Sequence, residues 1–172
     1  MGNDPVNKTD PTGLCATDEK NCIEIHGDPN WKEPKPVWPA DSKVINSKFE
    51  KNRYNPKSGV TRDHKGVDIK QPKGGETKST EDGIVTKTGK EGSGENAITV
   101  LNDSGSQSTY RHQKSDVQPG DVVKAGQKIG EGDASGPYIT GPHLHYEYRE
   151  TPDSQPVDPL TTQLKDAYNN GQ

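Results

Sequence analysis

The 172-residue chain is poor in the apolar side chains that build a large hydrophobic core. Hydrophobic residues make up 24% of it, with a single phenylalanine and a single methionine, and the mean hydropathy is −1.15. No apolar run approaches the roughly 20 residues that a membrane-spanning helix needs. The 19 glycines and 14 prolines argue against a helical bundle and predict a small all-β core with long polar ends.

Two further features are missing from the sequence. The 26 acidic and 22 basic residues are interspersed, so the basic stripe typical of nucleic-acid-binding proteins is absent and we expect no nucleic-acid partner. The N-terminus lacks the basic start and apolar centre of a signal peptide. We therefore expect that any export depends on another system.

Cysteine is scarce, with only Cys15 and Cys22 in the chain. Two free thiols, a local disulfide in an oxidising compartment, or a metal site completed by His26 are all compatible with this spacing, although such a site lacks an obvious fourth ligand. Residues 15–36 are polar and interrupted by prolines. This composition predicts a flexible linker, partly in the polyproline II conformation.

Residues 37–160 have the pattern of a small antiparallel β domain. Short runs of alternating apolar and polar residues are separated by glycine or Asn-Asp turns, as a meander requires. Candidate strands cover residues 44–49, 83–88, 97–101, 106–111 and the run that begins at His143. Residues 50–63, which contain Pro56 and Gly59, are predicted to be a polar loop.

The last residues, 161–172, are expected to form a C-terminal tail. Leu160, Leu164, Ala167 and Tyr168 recur at the spacing of one helix face. This spacing predicts a short C-terminal helix.

His143 and His145 are the most informative residues of the chain. They alternate with Leu144, so on a strand the two imidazoles share one face and Leu144 points to the other. Two adjacent imidazoles that leave a sheet on the same side are poor core material. They are well suited to metal binding or acid–base chemistry.

A second motif, His64-Lys-Gly-Val-Asp68-Ile, supplies matching ligand types. Catalytic zinc typically takes three protein ligands and keeps a fourth position for water, and His64, Asp68 and His145 can provide these three. His112 and His143 would then lie near the metal without binding it, one as a base and the other as a hydrogen-bonding or proton-donating group. The reaction class would be metal-assisted amide hydrolysis.

Each of these residues also has a purely structural interpretation. His64 and Asp68 could form a hydrogen-bonded pair in a loop, and His112 could be an ordinary surface histidine. The functional interpretation gains weight because all of them fall at the ends of predicted strands or in adjoining loops.

The motifs together resemble the lysostaphin/LytM-type zinc endopeptidases of bacterial cell walls. The resemblance covers roughly residues 37–160, and its motifs are His64-x3-Asp68, Tyr110-x-His112 and His143-x-His145. It implies an antiparallel β-sheet with the site in a loop-lined groove, and peptidoglycan cross-linking peptides as substrates. It also implies Zn²⁺ bound by His64, Asp68 and His145, with His112 and His143 as the catalytic histidines that do not ligate it. The chain departs from the family pattern at Glu50, where glycine is frequent.

The N-terminal residues 1–14 resemble a second known sequence. The run from Pro5 to Leu14, with Asp10-Pro11-Thr-Gly13-Leu14, is similar to the Pro-x4-Asp-Pro-x-Gly-Leu junction that ends the core of Rhs-repeat proteins. The resemblance implies that residues 1–14 are a remnant of this junction and that an Rhs shell carries the chain as a C-terminal toxin. A contractile secretion machine would then deliver it to the periplasm of a target cell, and a cognate immunity protein would protect the producer.

Three other functions compete with a wall-degrading peptidase. A catalytically inactive LytM-like module would bind wall or a partner, but such modules usually lose ligands, and the full set is present here. Another zinc hydrolase could use the same ligands. Asp82-Gly-Ile-Val and the run from Gly120 to Gly130 also resemble the halves of a lipoyl or biotinyl carrier, but no lysine stands at a hairpin tip between them.

Overall fold

The computed structural model describes residues 35–55, 59–92, 94–136, 139 and 141–170. These residues form short strands and one five-residue helix. The strands are β1 Ile45–Ser47, β2 Glu50–Asn55, β3 Val60–His64, β4 Val67–Lys70, β5 Glu76–Lys78, β6 Gly83–Glu91, β7 Glu95–Asn102, β8 Gln107–Arg111, β9 Gln113–Ser115, β10 Val122–Val123, β11 Lys128–Gly132 and β12 His143–Arg149; the helix is α1 Lys165–Asn169. Within the described part of the chain, no helix has the length and apolar character needed to cross a membrane.

The strands form three antiparallel sheets. The main sheet has seven strands in the order β1-β4-β12-β8-β7-β6-β10, a second sheet has the order β5-β11-β9, and β2 and β3 form a hairpin of their own. Every pairing between these strands is antiparallel. The predicted all-β fold is therefore confirmed.

Alternation along β4 and β12 separates the core from the polar face of the main sheet. Val67 and Ile69 on β4, and Leu144 and Tyr146 on β12, are fully buried on one face. The core also includes Ile129 from β11. The side chains that lie between these apolar positions consequently emerge on the opposite face, where the candidate site is found.

A buried hydroxyl cluster joins the C-terminal segment to this core. Thr80 Oγ1 lies 3.0 Å from the Tyr110 hydroxyl and 3.1 Å from the Tyr146 hydroxyl, and the Tyr146 hydroxyl donates to the side-chain oxygen of Gln163. Leu164, the next residue, is fully buried. The segment that leads into α1 thus packs on the β core, and the predicted C-terminal helix is present in a short form.

The prediction of a polar loop at residues 50–63 is wrong, because β2 and β3 form a hairpin there. Four of the five residues of β3 are exposed, so this strand lacks the apolar alternation by which strands are recognised in a sequence. The three-residue strands β5 and β9 were not predicted at all. Cys15, Cys22, His26, the junction at 1–14 and the linker up to residue 34 lie outside the described residues.

Gly66 is required where β4 approaches β12. A Cβ atom at this position would lie 2.3 Å from the Tyr146 carbonyl oxygen and 2.9 Å from His145 Nε2. We expect Gly66→Ala to destabilise the fold by about 1–3 kcal/mol, since backbone must move to accommodate the methyl group. Calorimetry of the metal-free protein should show the midpoint falling by several degrees, on the order of 3–8 °C.

Gly141→Ala is the matched control, because a Cβ atom at Gly141 meets nothing within 4 Å. Equal unfolding midpoints for the two variants would contradict the close approach of β4 and β12.

Candidate metal centre

Three potential ligand atoms converge where β3, β4 and β12 meet. His64 ends β3, Asp68 lies on β4, and His145 lies directly opposite Asp68 on β12. His64 Nε2 lies 3.1 Å from Asp68 Oδ1 and 3.2 Å from His145 Nδ1, and His145 Nδ1 lies 2.7 Å from Asp68 Oδ1. The predicted set of metal ligands is therefore brought together as one cluster.

The spacing of these three atoms fits a tetrahedral ion. Zinc binds imidazole nitrogen and carboxylate oxygen at about 2.0–2.2 Å, which places neighbouring ligand atoms of a tetrahedron roughly 3.3 Å apart. The observed separations of 2.7–3.2 Å are slightly shorter than this edge. Two imidazoles and one carboxylate are also the ligand types that zinc prefers, and three ligands leave a fourth position open.

Hydrogen bonds outside the cluster determine which nitrogen each imidazole presents. His64 Nδ1 lies 2.6 Å from the Lys48 carbonyl oxygen, which can only accept, so Nδ1 carries the proton and Nε2 has the lone pair. His145 Nε2 lies 3.3 Å from Glu147 Oε1, so the proton of its neutral form is held at Nε2 and Nδ1 faces Asp68. Each ligand is thus oriented by an outer acceptor, as is usual at metal sites.

The charges of the carboxylate and imidazoles in this cluster also favour the binding of a cation. Burial alone would raise the pKa of Asp68, but hydrogen bonds and charge from His145 and His64 hold this pKa well below its usual value. Burial alone would lower the pKa of His145, yet Asp68 and Glu147 raise it. Asp68 is therefore anionic and surrounded by nitrogen lone pairs, an arrangement that requires either an added proton or a metal ion.

His112 and His143 lie beside the ligand cluster with their rings in contact. The two ring centroids are 4.7 Å apart, and His143 Nε2 lies 3.6 Å from Asp68 Oδ1. His143 Nδ1 donates to the Gly141 carbonyl at 2.8 Å, and His112 Nδ1 donates to the Ser135 carbonyl at 2.6 Å. Both Nε2 atoms are therefore free to accept a proton, and burial lowers the pKa of His112, which favours its neutral form.

The backbone at His112 adopts a left-handed conformation with φ 61°, which is uncommon for a residue with a Cβ atom. Its carbonyl accepts from the Asp133 amide at 3.1 Å. Ser135, whose carbonyl holds the imidazole, is itself fixed because its hydroxyl accepts from the Asn96 amide at 2.8 Å. Backbone strain maintained by surrounding contacts is typical of functional sites.

A charged network extends from His145 across the sheet. Glu147 Oε1 accepts from Arg111 Nε at 2.9 Å, and Arg111 Nη1 also contacts Glu91 at 2.7 Å and Glu95 at 3.2 Å. Burial alone would raise the pKa of Glu147, but hydrogen bonding and charge from His145 and Arg111 lower it to about 2. Glu147 is therefore ionised at neutral pH and holds the His145 ring.

The five residues predicted for the site lie together, whereas their supporting partners were not predicted. Glu147 follows His145 by two residues and thus shares its strand face, a signal that the sequence does contain. The Lys48 and Ser135 carbonyls belong to the backbone, and no residue-type pattern identifies such acceptors. Arg111 and Asn96 contact partners that are distant in sequence, and these contacts depend on the tertiary structure.

Comparison with known proteins shows similarity over the part of the chain that contains the candidate site. The model of Peptidase family M23 matches residues 62–159, more than half of the chain. The chain is 35% identical over 130 residues to the peptidoglycan DD-endopeptidase ShyB of Vibrio cholerae, covering 74% of this chain and 30% of that protein. It is 34% identical over 112 residues to the DD-carboxypeptidase/endopeptidase Mpg of Neisseria meningitidis, covering 65% and 25%.

Solved structures show a similar fold. A zinc-containing peptidase from Vibrio cholerae matches with a TM-score of 0.64 and 34% identity, over 73% of this chain and 39% of that one. Lysostaphin from Staphylococcus simulans matches with a TM-score of 0.67 and 27% identity, over 81% and 57%. The chain spans about a quarter to a third of the length of the curated relatives it matches.

Glu147 should control zinc affinity through His145. We expect Glu147→Ala to weaken zinc binding about 10–100-fold, because the imidazole loses the acceptor that fixes its tautomer and orientation. Competition with a zinc-binding dye measures this affinity without any substrate. Glu91→Ala, which removes a carboxylate from the other side of Arg111, should change the affinity much less; equal losses in both variants would argue against a specific role for Glu147.

Proposed function

The chain belongs to peptidase family M23, and we propose that it is a zinc-dependent endopeptidase that cleaves the peptide cross-links of bacterial peptidoglycan. The observation that carries the proposal is the convergence of His64, Asp68 and His145, with two further histidines beside them. The names of relatives such as ShyB and Mpg support the substrate class, and the zinc-containing peptidase of similar structure supports the metal.

The chain's own residues divide the chemistry between ligands and proton carriers. His64, Asp68 and His145 would hold the zinc ion, which when bound supplies Lewis-acid polarisation of the scissile carbonyl and lowers the pKa of water. His112 Nε2, whose ring is fixed by the Ser135 carbonyl, accepts the proton that the attacking water loses. The adjacent His143 shares this proton with His112. It also stabilises the negative charge that develops on the substrate oxygen, and it helps to return the proton to the leaving amine.

The bond that we propose is the D-alanyl cross-link. Relatives named as DD-endopeptidases, ShyB and ShyA, match 74% and 64% of this chain. The glycyl-glycine endopeptidase ALE-1 of Staphylococcus capitis matches 49% of it. Among these sequence matches, those to the DD-endopeptidases extend over more of the chain, which supports a D-alanyl bond over a glycine bridge.

An inactive wall-binding module is the main alternative. Its support is weakened because all five site residues are retained and each histidine of the cluster has an outer partner that orients it. A binding module has no need for His112 to maintain a left-handed backbone. The carrier interpretation is weaker still, since it assigns no role to these histidines.

Digestion of purified Gram-negative peptidoglycan tests the activity. We expect the zinc-loaded chain to convert cross-linked dimers to monomers in mass spectra, and His145→Ala or a chelator to abolish the conversion. His112→Ala should retain one zinc per chain but lower kcat by about 10²–10⁴, because general-base catalysis is lost. His26→Ala, which changes a histidine outside the five-residue site, serves as the control; intact cross-links with zinc bound would refute the proposed reaction.

We also propose that this activity serves as an antibacterial toxin, acting in the periplasm of a competing cell. The similarity of residues 1–14 to an Rhs junction supports this proposal, since that junction precedes C-terminal toxins. Delivery by an Rhs shell and a contractile secretion machine, and protection by an immunity protein, are parts of the same proposal.

Expression of the chain with an exported leader tests the toxin role. We expect cells of a Gram-negative host to lyse when the chain reaches the periplasm and to grow normally when it stays in the cytoplasm, because the wall lies outside the inner membrane. His145→Ala in the periplasm is the control for catalysis. Normal growth with active, exported peptidase would contradict the toxin proposal while leaving the peptidase activity intact.

A further inference from the structure

The β2–β3 region differs in charge from the rest of the chain. Residues 48–55 and 59–65, called here the basic hairpin, contain five lysines and arginines and two acidic residues, a net charge of +3 in a chain whose net charge is −4. Electrostatic segregation of this kind creates a local positive potential on an otherwise acidic protein.

The basic hairpin borders the candidate metal centre directly. Its second strand ends in the ligand His64, and the carbonyl of Lys48 at its start accepts the His64 Nδ1–H. Among the described strands, β2 and β3 pair with each other and with no third strand, so the hairpin stands beside the main sheet. Arg53 Nη1 donates to Ser47 Oγ at 2.5 Å, which connects the hairpin to β1.

Three lysines of this hairpin face solvent. Lys48, Lys51 and Lys65 are exposed, and none of them pairs with a carboxylate among the described residues. Of the four exposed large apolar side chains in the described regions, two also lie here: Tyr54 is 62% exposed and Val60 is 45% exposed. Uncompensated charge next to exposed apolar surface is typical of a binding surface.

We propose that the basic hairpin binds the free carboxylates of the substrate peptide and holds its chain across the metal centre. This inference rests on the proposed peptidoglycan substrate, because cross-linked stem peptides of Gram-negative wall carry several free carboxylates. Charge complementarity favours such a peptide over a neutral glycine bridge. This binding raises the local concentration of substrate and therefore lowers KM. The reacting atoms are contacted by the five site residues and not by the lysines of the hairpin.

A charge-removal pair of variants tests the proposal. Lys51 and Lys65 are changed together to Gln in one variant, and Lys48 is kept because its carbonyl orients His64. Lys73 and Lys165, exposed lysines of other regions, are changed together to Gln in the matched control. The substrates are a cross-linked muropeptide with free carboxylates and the same compound with its carboxylates amidated.

The hairpin variant should have a KM for the free-acid muropeptide about fivefold to tenfold higher at low salt, with kcat unchanged. This difference should fade at 0.5 M salt, where the screening length is on the order of 4 Å. The amidated compound should show no such difference between the hairpin variant and the unaltered chain. The control variant should behave like the unaltered chain with both compounds.

Equal KM values for the hairpin and control variants would overturn the inference while leaving the peptidase function intact, and the exposed hairpin would then suit a protein partner. If neither muropeptide is cleaved by any form, the proposed function fails instead. Sedimentation with peptidoglycan sacculi then decides the hairpin's role independently: binding lost only in the hairpin variant supports it, and equal binding refutes it.

Discussion

The antiparallel register between β4 and β12 is the constraint on which the site depends. It places His145 directly opposite Asp68 and Leu144 opposite Ile69, so a single pairing puts the polar atoms on one face and the apolar side chains in the core. A slip of one residue would exchange the two faces and bury the ligands. Gly66 allows β4 to approach Tyr146 closely. It also lies in the short turn between β3 and β4, which brings His64 close to Asp68.

The orientation of the four site histidines follows one physical rule. Each ring has one nitrogen committed to an outer acceptor, and three of these acceptors are backbone carbonyls. A carbonyl cannot donate, so it fixes the tautomer as firmly as it fixes the ring direction. His145 is the exception, because its acceptor is the side chain of Glu147. Its ligand geometry therefore depends on ionised Glu147 and on Arg111, which keeps that carboxylate in place.

Much of the site was predictable because its chemistry is carried by residue types at fixed spacing. His143 and His145 alternate with Leu144, and the Gly66 turn brings His64 to Asp68, so local geometry alone indicated these relations. The β2–β3 hairpin was not predictable from alternation, because its described residues bury almost no apolar side chain and its strands pair with no other strand of the described sheets. The backbone acceptors that orient His64 and His112 also carry no residue-type signal. They arise from tertiary packing, as does the contact of Arg111 with Glu91 and Glu95.

The main sheet buries its apolar side chains on one face and carries the polar site on the other. This division explains how the fold can support a strained, polar site with so few apolar residues. The core face of the main sheet is closed by β11 and by the C-terminal segment around Leu164, and its buried hydroxyls satisfy one another through Thr80, Tyr110 and Tyr146. The opposite face is therefore not needed for hydrophobic burial, and it can hold an anionic Asp68 and a left-handed His112. Packing that stabilises the fold lies on one face of the sheet, so a residue of the opposite face such as His112 can be substituted with little effect on folding.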